Sequence, residues 1–373
     1  MRNETLLNSD PYALAAAAWE EQMNFGELAV RVLEEAGHPL ATAARAEVDL
    51  IEKVAAPDLE GYTEVPLRTA VHLAGGQHGV QLRFGTDGAI TGLERGGTAW
   101  ASLAAPLGAF TYKTLNDTDW MPFTYSYLAQ HQPAPGFWKP GSNNYSESTV
   151  FRPTATKLCV KSDNTSAVVK MQMPARASET YGSWATVYLT VSVDPSKPGD
   201  LDLTYRTLGK GIVAIGESTA ITFQPAPALQ PSAGASAWSI DKLGHGVDPE
   251  GVQDGGNQFN HASWHGTSVA TTAGAMTIKS LDAPNMNPMT RTFPIGNPLP
   301  ASIDEALSKS GKGMAQLPKG SVVGMAVNLH NNLWNTNYPL YYPYFTKRYC
   351  ASPLACSNAN AIWRFTLAFD TSS

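Results

Sequence analysis

The residues best suited to chemistry lie in an aromatic and amide-rich stretch, residues 328–345, NLHNNLWNTNYPLYYPYF. Sugar rings present apolar C–H faces and many hydroxyl groups. A site that binds them therefore needs flat aromatic surfaces with hydrogen-bonding amides between them. Trp334, Asn335, Asn337 and Tyr338 have these properties, and we predict that they contact carbohydrate or a neighbouring domain. Packing of the rings into a core or an inter-domain contact is the alternative.

A second candidate is the segment NQFNHASWHG. His261 and His265 are four positions apart, so they share a face in either a helix or a strand. Because the sequence indicates no third ligand, two hydrogen-bonded histidines are favoured over a metal pair. We predict no metal site in this chain and assign Trp264 and His265 to the same carbohydrate or domain contact.

The same region contains a segment similar to the nucleophile segment of subtilisin-like proteases, His265-Gly266-Thr267-Ser268. In that fold the serine begins a helix on a parallel α/β sheet, whereas this sequence shows no alternation of helices and strands. A serine hydrolase is therefore a remote alternative. The acidic run at 240–256 is typical of a solvated turn, since an acid/base pair requires a defined carboxylate separation. We predict no catalytic residue in this chain.

A helical hairpin is predicted for residues 1–57. Asp10-Pro11 suits a helix start, and Gly37 before His38-Pro39 suits a left-handed helix end. One apolar stripe runs along the first helix and consists of Trp19, Met23, Val30 and Leu33. Two helices with one stripe each do not make a core alone, so we expect the hairpin to pack on the β region or on a missing partner.

Residues 58–373 are predicted to form a large antiparallel β-sandwich, which makes the fold mainly β with the helical hairpin in front of it. Alternating apolar residues mark the strands, as in Val187, Leu189, Val191 and Val193. Frequent glycine and proline residues between the strands favour packed sheets. A stretch rich in Pro, Ala and Ser near 226–237 predicts a break between two sub-sandwiches.

The two strands beside the aromatic stretch carry a more specific prediction. Residues 323–329 and 363–369 both alternate between apolar and polar side chains. The simplest arrangement is an antiparallel pair joined by the aromatic stretch as a long loop.

Composition narrows the possible partners. The formal charge of −6 and the absence of a basic run argue against nucleic acid, and no apolar run reaches the roughly 18–20 residues that a membrane span needs. Cys159 is expected to be a buried thiol, whereas Cys350 and Cys356 form either a local disulfide or two free thiols.

Four glycosylation sequons begin at Asn3, Asn116, Asn144 and Asn164. They are compatible with a secretory route and an extracellular location, although the first residues contain no apolar signal core.

Several segments carry a resemblance to a known family: LHNNLWNTNYPLYYPY with the strand RFTLAF, APLGAFTYKTLNDTDWMPFTYSYL, NQFNHASWHG and SLDAPNMNP. Together they resemble the C-terminal region of glycoside hydrolase family 38-like, α-mannosidase-related proteins, in a branch described as a domain of unknown function. The resemblance implies the end of a helical bundle followed by a mannosidase C-terminal-like supersandwich.

The resemblance also implies what this sequence lacks. The family's metal, zinc, is held by histidine and aspartates in an N-terminal β/α barrel, and no His-x-Asp occurs in this chain. We therefore expect no cofactor here. At the position where this branch of the family has an Arg-x-Pro-Glu pattern, Glu217 is the one residue of this chain that matches the pattern.

Two hypotheses of function remain open. The chain is the C-terminal, non-catalytic portion of a glycosidase, with carbohydrate and a separate or missing barrel as its partners. Alternatively, it is a free-standing carbohydrate- or protein-binding module.

Because no part of this sequence resembles the catalytic barrel, we predict that the chain alone has no glycosidase activity. The purified 373-residue chain should not hydrolyse aryl mannosides with or without added Zn²⁺, because the residues that would hold the metal are absent. An intact α-mannosidase assayed in parallel gives the positive control. Metal-dependent turnover by the chain, above the rate without protein, would contradict the prediction.

Overall fold

The computed structural model describes residues 10–74, 79–116, 119, 146–194, 196, 199–211, 213, 215–229, 237–253, 258–291, 294, 317–333 and 360–371. The site residues predicted in the aromatic stretch, Trp334, Asn335, Asn337 and Tyr338, lie outside these ranges, as do Cys350 and Cys356. Cys159 is a buried free thiol, as expected, and burial raises its pKa.

Two helices precede the strands. Helix α1 spans Asp10–Glu35 and helix α2 spans Ala41–Glu52. Gly37 between them has the left-handed conformation that the sequence predicted, with a φ of 59°. The backbone N–H of His38 donates to the carbonyl oxygen of Leu33 at 2.9 Å, which satisfies one of the last carbonyl groups of α1. None of the described helices is long and apolar enough to cross a membrane.

The described strands form two sheets, and every strand is numbered in chain order. The first sheet has the order β1 (Tyr62–Val65), β8 (Thr154–Lys161), β9 (Ser166–Gln172), β10 (Thr186–Val193), β11 (Asp200–Leu208), β20 (Ala361–Thr371), β17 (Gly274–Ser280), β16 (Gly266–Thr271), β13 (Trp238–Lys242) and β14 (His245–Val247).

The second sheet has the order β15 (His261–Ala262), β18 (Asn285–Met289), β19 (Gly324–Leu333), β12 (Gly216–Phe223), β6 (Leu107–Leu115), β4 (Ile90–Arg95), β3 (Val80–Phe84) and β2 (Val71–Leu73). Strand β5 (Thr98–Ala101) pairs with β4, and β7 (Thr149–Phe151) pairs with β6. A short π-helix, Arg176–Thr180, and a 3-10 turn, Pro227–Leu229, lie in connections. The pairings within both sheets are antiparallel, which confirms the predicted antiparallel β-sandwich.

Both sheets contain strands from before and after residues 226–237, and one apolar core lies between the sheets. The division into two sub-sandwiches stays a prediction. Core residues come from the alternating positions of the sequence, as in β10, which buries Val187, Leu189, Val191 and Val193. Each fully buried side chain of this kind stabilises the fold by about 1.5–3 kcal/mol.

The predicted pairing of residues 323–329 with 363–369 is wrong. Strand β19 contains residues 324–329 of the first segment and pairs with β12 and β18 in the second sheet. Strand β20 contains the second segment and pairs with β11 and β17 in the first sheet. Alternation shows that one face of a strand is buried, but it does not identify the neighbouring strand.

Direct contacts connect the two sheets through the core. The rings of Phe223 on β12 and Phe365 on β20 lie 5.6 Å apart. The hydroxyl group of Tyr205 on β11 donates to the carbonyl oxygen of Gly108 on β6 at 2.6 Å. A Cβ at Gly108 would lie 2.4 Å from that hydroxyl oxygen, so glycine is required for this approach.

The helical hairpin contacts the first sheet through α2. The Arg364 guanidinium on β20 lies 3.0 Å from the Glu47 carboxylate, and the side-chain amide of Asn360 donates to the carbonyl oxygen of Val54 at 2.8 Å. The sequence assigned this docking to the stripe on α1. Of that stripe, Val30 is buried and Leu33 is half-buried, and the side chains of Trp19 and Met23 lie outside the described part of the chain.

A charged pair is buried between the sheets. Lys210 follows β11 and Glu217 lies in β12, and both side chains are fully buried. The ammonium nitrogen of Lys210 lies 3.0 and 2.9 Å from the two carboxylate oxygens of Glu217 and donates to the carbonyl oxygen of Gly211 at 2.9 Å. The hydroxyl group of Tyr112 contacts the same carboxylate and lies 2.6 Å from the carbonyl oxygen of Tyr181.

Aromatic rings enclose this pair. The Lys210 ammonium lies 5.9 Å from the ring centroid of Tyr112 and 5.7 Å from that of Trp184. The His330 ring on β19 meets Trp184 edge-on at 5.4 Å. Burial lowers the pKa of Lys210, although Glu217 offsets part of this change. Burial also lowers the pKa of His330 to about 4.

Removing one member of the buried pair should destabilise the fold strongly. We expect Glu217→Leu to lower the free energy of unfolding by about 3–5 kcal/mol, because it leaves a buried ammonium group without its counter-ion. The double variant Lys210→Met/Glu217→Leu should recover most of that loss. Urea denaturation of the parent, both single variants and the double variant measures the coupling. If the two single losses simply add in the double variant, the pair does not act as described.

The buried histidine should make stability depend on pH. The pKa of His330 is about 4 in the folded chain and about 6.5 in an unfolded one, so the unfolded state binds more protons between these values. Stability is therefore retained above pH 6.5 and falls as the pH decreases towards 4, by about 3 kcal/mol from this group.

Urea denaturation at pH 7 and pH 4 measures this loss. His330→Phe, which keeps an aromatic ring beside Trp184, should show a smaller loss than the parent, and His330→Gln provides a second variant without a titrating ring. Equal losses in the parent and in both variants would contradict the assignment.

Candidate functional site

An open groove with a volume of about 970 Å³ lies on the outward face of the first sheet. Seven neighbouring strands line it, from β10 through β11, β20, β17, β16 and β13 to β14. Short hydroxyl side chains dominate its floor: Ser192, Thr204, Ser239, Ser268, Thr277 and Thr366. Alternation places them there, because the apolar residues between them point into the core.

Asp241 and His265 line one end of the groove, and Trp264 lies beside His265. The carboxylate of Asp241 accepts a hydrogen bond from the backbone N–H of Gly244 at 2.6 Å, and its other oxygen lies 3.0 Å from Nδ1 of His265. The N–H of Gly244, followed by His265, lowers the pKa of Asp241. Since an ionised carboxylate only accepts, Nδ1 of His265 is the donor in this hydrogen bond.

Trp264 provides an aromatic surface at the same end. Its side chain is 60% exposed, and its ring lies 5.3 Å from the His265 ring in an edge-on arrangement. The backbone N–H of Trp264 donates to the carbonyl oxygen of Asp241 at 2.9 Å, which fixes this segment against β13. Exposed Leu243 and Leu281 belong to neighbouring segments. Of these three apolar side chains Leu281 lines the groove, while Trp264 and Leu243 are next in sequence to the lining residues His265 and Gly244 and form an apolar and aromatic rim beside it.

Two charged side chains of the groove, Arg364 and Asp202, are engaged within the protein. Arg364 on β20 binds Asp282 with two hydrogen bonds of 2.9 and 2.8 Å and also binds Glu47 of α2. Asp282 is the main reason why the pKa of Arg364 is raised. On β11, Asp202 accepts a hydrogen bond from the hydroxyl group of Thr366 at 2.5 Å.

This arrangement suits binding better than acid/base catalysis. A general acid that works near neutral pH needs a raised carboxyl pKa, whereas the pKa of Asp241 is lowered. Hydroxyl groups, carboxylates and an imidazole beside an exposed indole instead match a ligand that has many hydroxyls and apolar faces. Among the described residues, His, Cys, Asp and Glu do not gather into a group of three or more that could hold a metal ion.

The structure brings two of the predicted site residues together. His265 lines the groove, and Trp264 lies outside the lining with its ring 5.3 Å from the His265 ring. The predicted residues of the aromatic stretch lie outside the described ranges. His261 is separated from them: it is buried, and its Nε2 lies 3.0 Å from the carbonyl oxygen of Gln258. Ser268 of the subtilisin-like segment lies within strand β16 rather than at the start of a helix.

Sequence reasoning missed the floor of the groove. Asp202, Thr366, Lys279 and Thr277 occupy the polar positions of alternating strands, and that polarity was the only signal in the sequence. A polar strand face normally indicates only contact with solvent. These residues line one groove because β20 lies between β11 and β17, which the sequence does not indicate.

A family model described as a domain of unknown function (DUF5054) matches residues 3–201. Curated protein sequences give no match. Among solved structures, an alpha-mannosidase from Enterococcus faecalis V583 is 11% identical, with a TM-score of 0.43 and coverage of 83% of this chain and 30% of that one. A protein in the Glycosyl Hydrolase Family 38 from Enterococcus faecalis is 10% identical, with a TM-score of 0.42 and coverage of 83% and 31%.

A putative aldose 1-epimerase from Escherichia coli K12 is 12% identical, with a TM-score of 0.36 and coverage of 84% of this chain and 100% of that one. The chain spans less than a third of the length of the two Enterococcus proteins. These identities and TM-scores are too low to carry the function of those proteins over to this chain.

Proposed function

We propose a function for this chain, which belongs to the DUF5054 family, described as a domain of unknown function, since the family model covers more than half of the chain. The chain is a carbohydrate-contacting, non-catalytic β-sandwich portion of an α-mannosidase-like glycosidase. In this proposal the groove on the first sheet binds the sugar. A catalytic barrel, on a separate or missing part, binds elsewhere on the molecule.

The exposed indole of Trp264, which lies beside the groove residue His265, carries the proposal. An indole left largely in water gains favourable contact area when the apolar face of a sugar ring covers it. Beside it, Asp241 and His265 offer acceptors for sugar hydroxyl groups. The resemblance of several sequence segments to α-mannosidase-related proteins supports carbohydrate as the ligand class.

The exposed face of α1 supports a further protein partner. Phe25, Leu28 and Val32 are spaced three and four residues apart, so they share one face of the helix, and Phe25 is 62% exposed. A contiguous apolar helix face in water is unfavourable and is typical of an interaction surface. We propose that the barrel-bearing part covers this face, because the resemblance places helix α1 at the end of a bundle. The barrel would supply the metal, zinc, and the catalytic residues.

A free-standing binding module is the second candidate function. The groove would serve it equally well, but the uncovered face of α1 would then have no role. An upstream reading frame that encodes a barrel with His-x-Asp would favour the glycosidase portion.

Sugar binding should depend on Trp264. We expect the parent chain to bind α-linked mannose oligosaccharides with a saturable change in tryptophan fluorescence, and Trp264→Ala to bind about tenfold more weakly because a stacking surface is lost. Isothermal titration calorimetry gives both dissociation constants without relying on the fluorescence of the altered residue.

Phe25→Ala is the matched control, since Phe25 is an aromatic residue with nearly the same exposure on α1, away from the groove lining. It should bind as the parent does. An equal loss of affinity in Trp264→Ala and Phe25→Ala would show a nonspecific effect. If the parent chain shows no saturable binding to mannose oligosaccharides or to a broad glycan array, carbohydrate is not the ligand.

A further inference from the structure

We propose that the groove binds an extended saccharide of several pyranose units that runs across the strands, rather than a single sugar. This inference rests on the proposed function, namely that the groove binds carbohydrate. It follows from the register of the first sheet and from the floor of the groove.

Strand register places one row of outward positions across five neighbouring strands. Ser192, Asp202, Thr366, Lys279 and Gly266 are successive partners on β10, β11, β20, β17 and β16. Neighbouring strands are about 4.8 Å apart, so this row is about 19 Å long. Four of its five positions carry a hydrogen-bonding side chain, at a spacing comparable to one pyranose unit in an extended chain.

A second row runs beside the first. Thr277, Ser268 and Ser239 are successive partners on β17, β16 and β13. On β17 and β16, the strands that both rows share, the second row lies two residues from the first, or about 7 Å away. The two rows lie side by side on β17 and β16 and together extend from β10 to β13. Their polar side chains can hydrogen-bond to successive units of a chain of rings, whereas one sugar would cover only a small part of either row.

Glycine keeps the path open between the rows and the aromatic rim. Gly266 has a φ of 140°, and a Cβ there would lie 1.9 Å from the carbonyl oxygen of Ile278, so no other residue fits. The position next to Lys279 across the strands therefore has no side chain to obstruct a ligand. A saccharide lying over Thr366 and Lys279 can continue over Gly266 to Trp264 and His265.

The volume of the groove agrees with this length. At about 970 Å³ it lies at the upper end of the range for sites that hold drug-sized ligands. The side chain of Lys279 is half-exposed, and the Asp200 carboxylate is 3.9 Å from its ammonium nitrogen, beyond hydrogen-bonding distance. Its ammonium group can therefore donate to a sugar hydroxyl in the middle of the path.

A series of α-linked mannose oligosaccharides, from the monosaccharide to the hexasaccharide, tests the inference by calorimetry with the full chain. We expect the dissociation constant to fall roughly tenfold or more between the disaccharide and the pentasaccharide. Thr366→Val and Thr277→Val should each weaken the pentasaccharide several-fold, because valine keeps the shape of threonine but cannot hydrogen-bond, while the disaccharide at the Trp264 end is unaffected.

Thr156→Val is the matched control, because Thr156 is exposed on β8 of the same sheet and outside the groove. It should leave all affinities unchanged. Affinity that does not depend on saccharide length would overturn this inference and leave the proposed function standing. A length dependence that neither Thr366→Val nor Thr277→Val alters would have the same meaning. Absence of binding to every saccharide in the series and on a broad glycan array would overturn the proposed function itself.

Discussion

The buried charges of Lys210 and Glu217 are the constraint that the packing of the two sheets has to satisfy. Both side chains are fully buried, so each charge needs the other, together with Tyr112 and the carbonyl oxygen of Gly211. Lys210 comes from the connection after β11 of the first sheet, whereas Glu217 belongs to β12 of the second. Apolar contacts are non-directional, whereas the hydrogen bonds to a buried carboxylate have defined distances and directions. The pair therefore fixes how the two sheets lie against each other at this point.

The outward face of the first sheet benefits from that rigidity. Its polar residues are held by strands whose opposite faces form the core, so the groove floor does not need to order itself when a ligand arrives. Sites on strands lose less conformational entropy on binding than sites on loops. Arg364 extends the same framework to the helices through Glu47, and its bidentate contact with Asp282 keeps it in place.

The sequence predicted the fold class because its signals were local. Alternation identified β10 and β20, Asp87-Gly88 lies at the turn between β3 and β4, and Gly37 ends the first helix. These signals depend on side-chain period and backbone conformation, which neighbouring residues determine.

The arrangement of the strands was beyond such signals. Residues 323–329 and 363–369 have the same pattern, yet they belong to opposite sheets. Trp264 and His265 stood out as residue types, but the groove beside them consists of ordinary serine and threonine residues. Their grouping depends on pairing between distant segments, such as Asp202 with Thr366.

The central position of β20 in the first sheet has a consequence for biosynthesis. Strand β11 ends at Leu208 and its partner begins at Ala361, so the ribosome must synthesise more than a hundred further residues before the sheet can close. Until then the edges of β11 and β17 are unpaired, and such edges are prone to pair with other chains. Nascent chains would therefore benefit from chaperones that shield these two edges until residues 361–371 emerge.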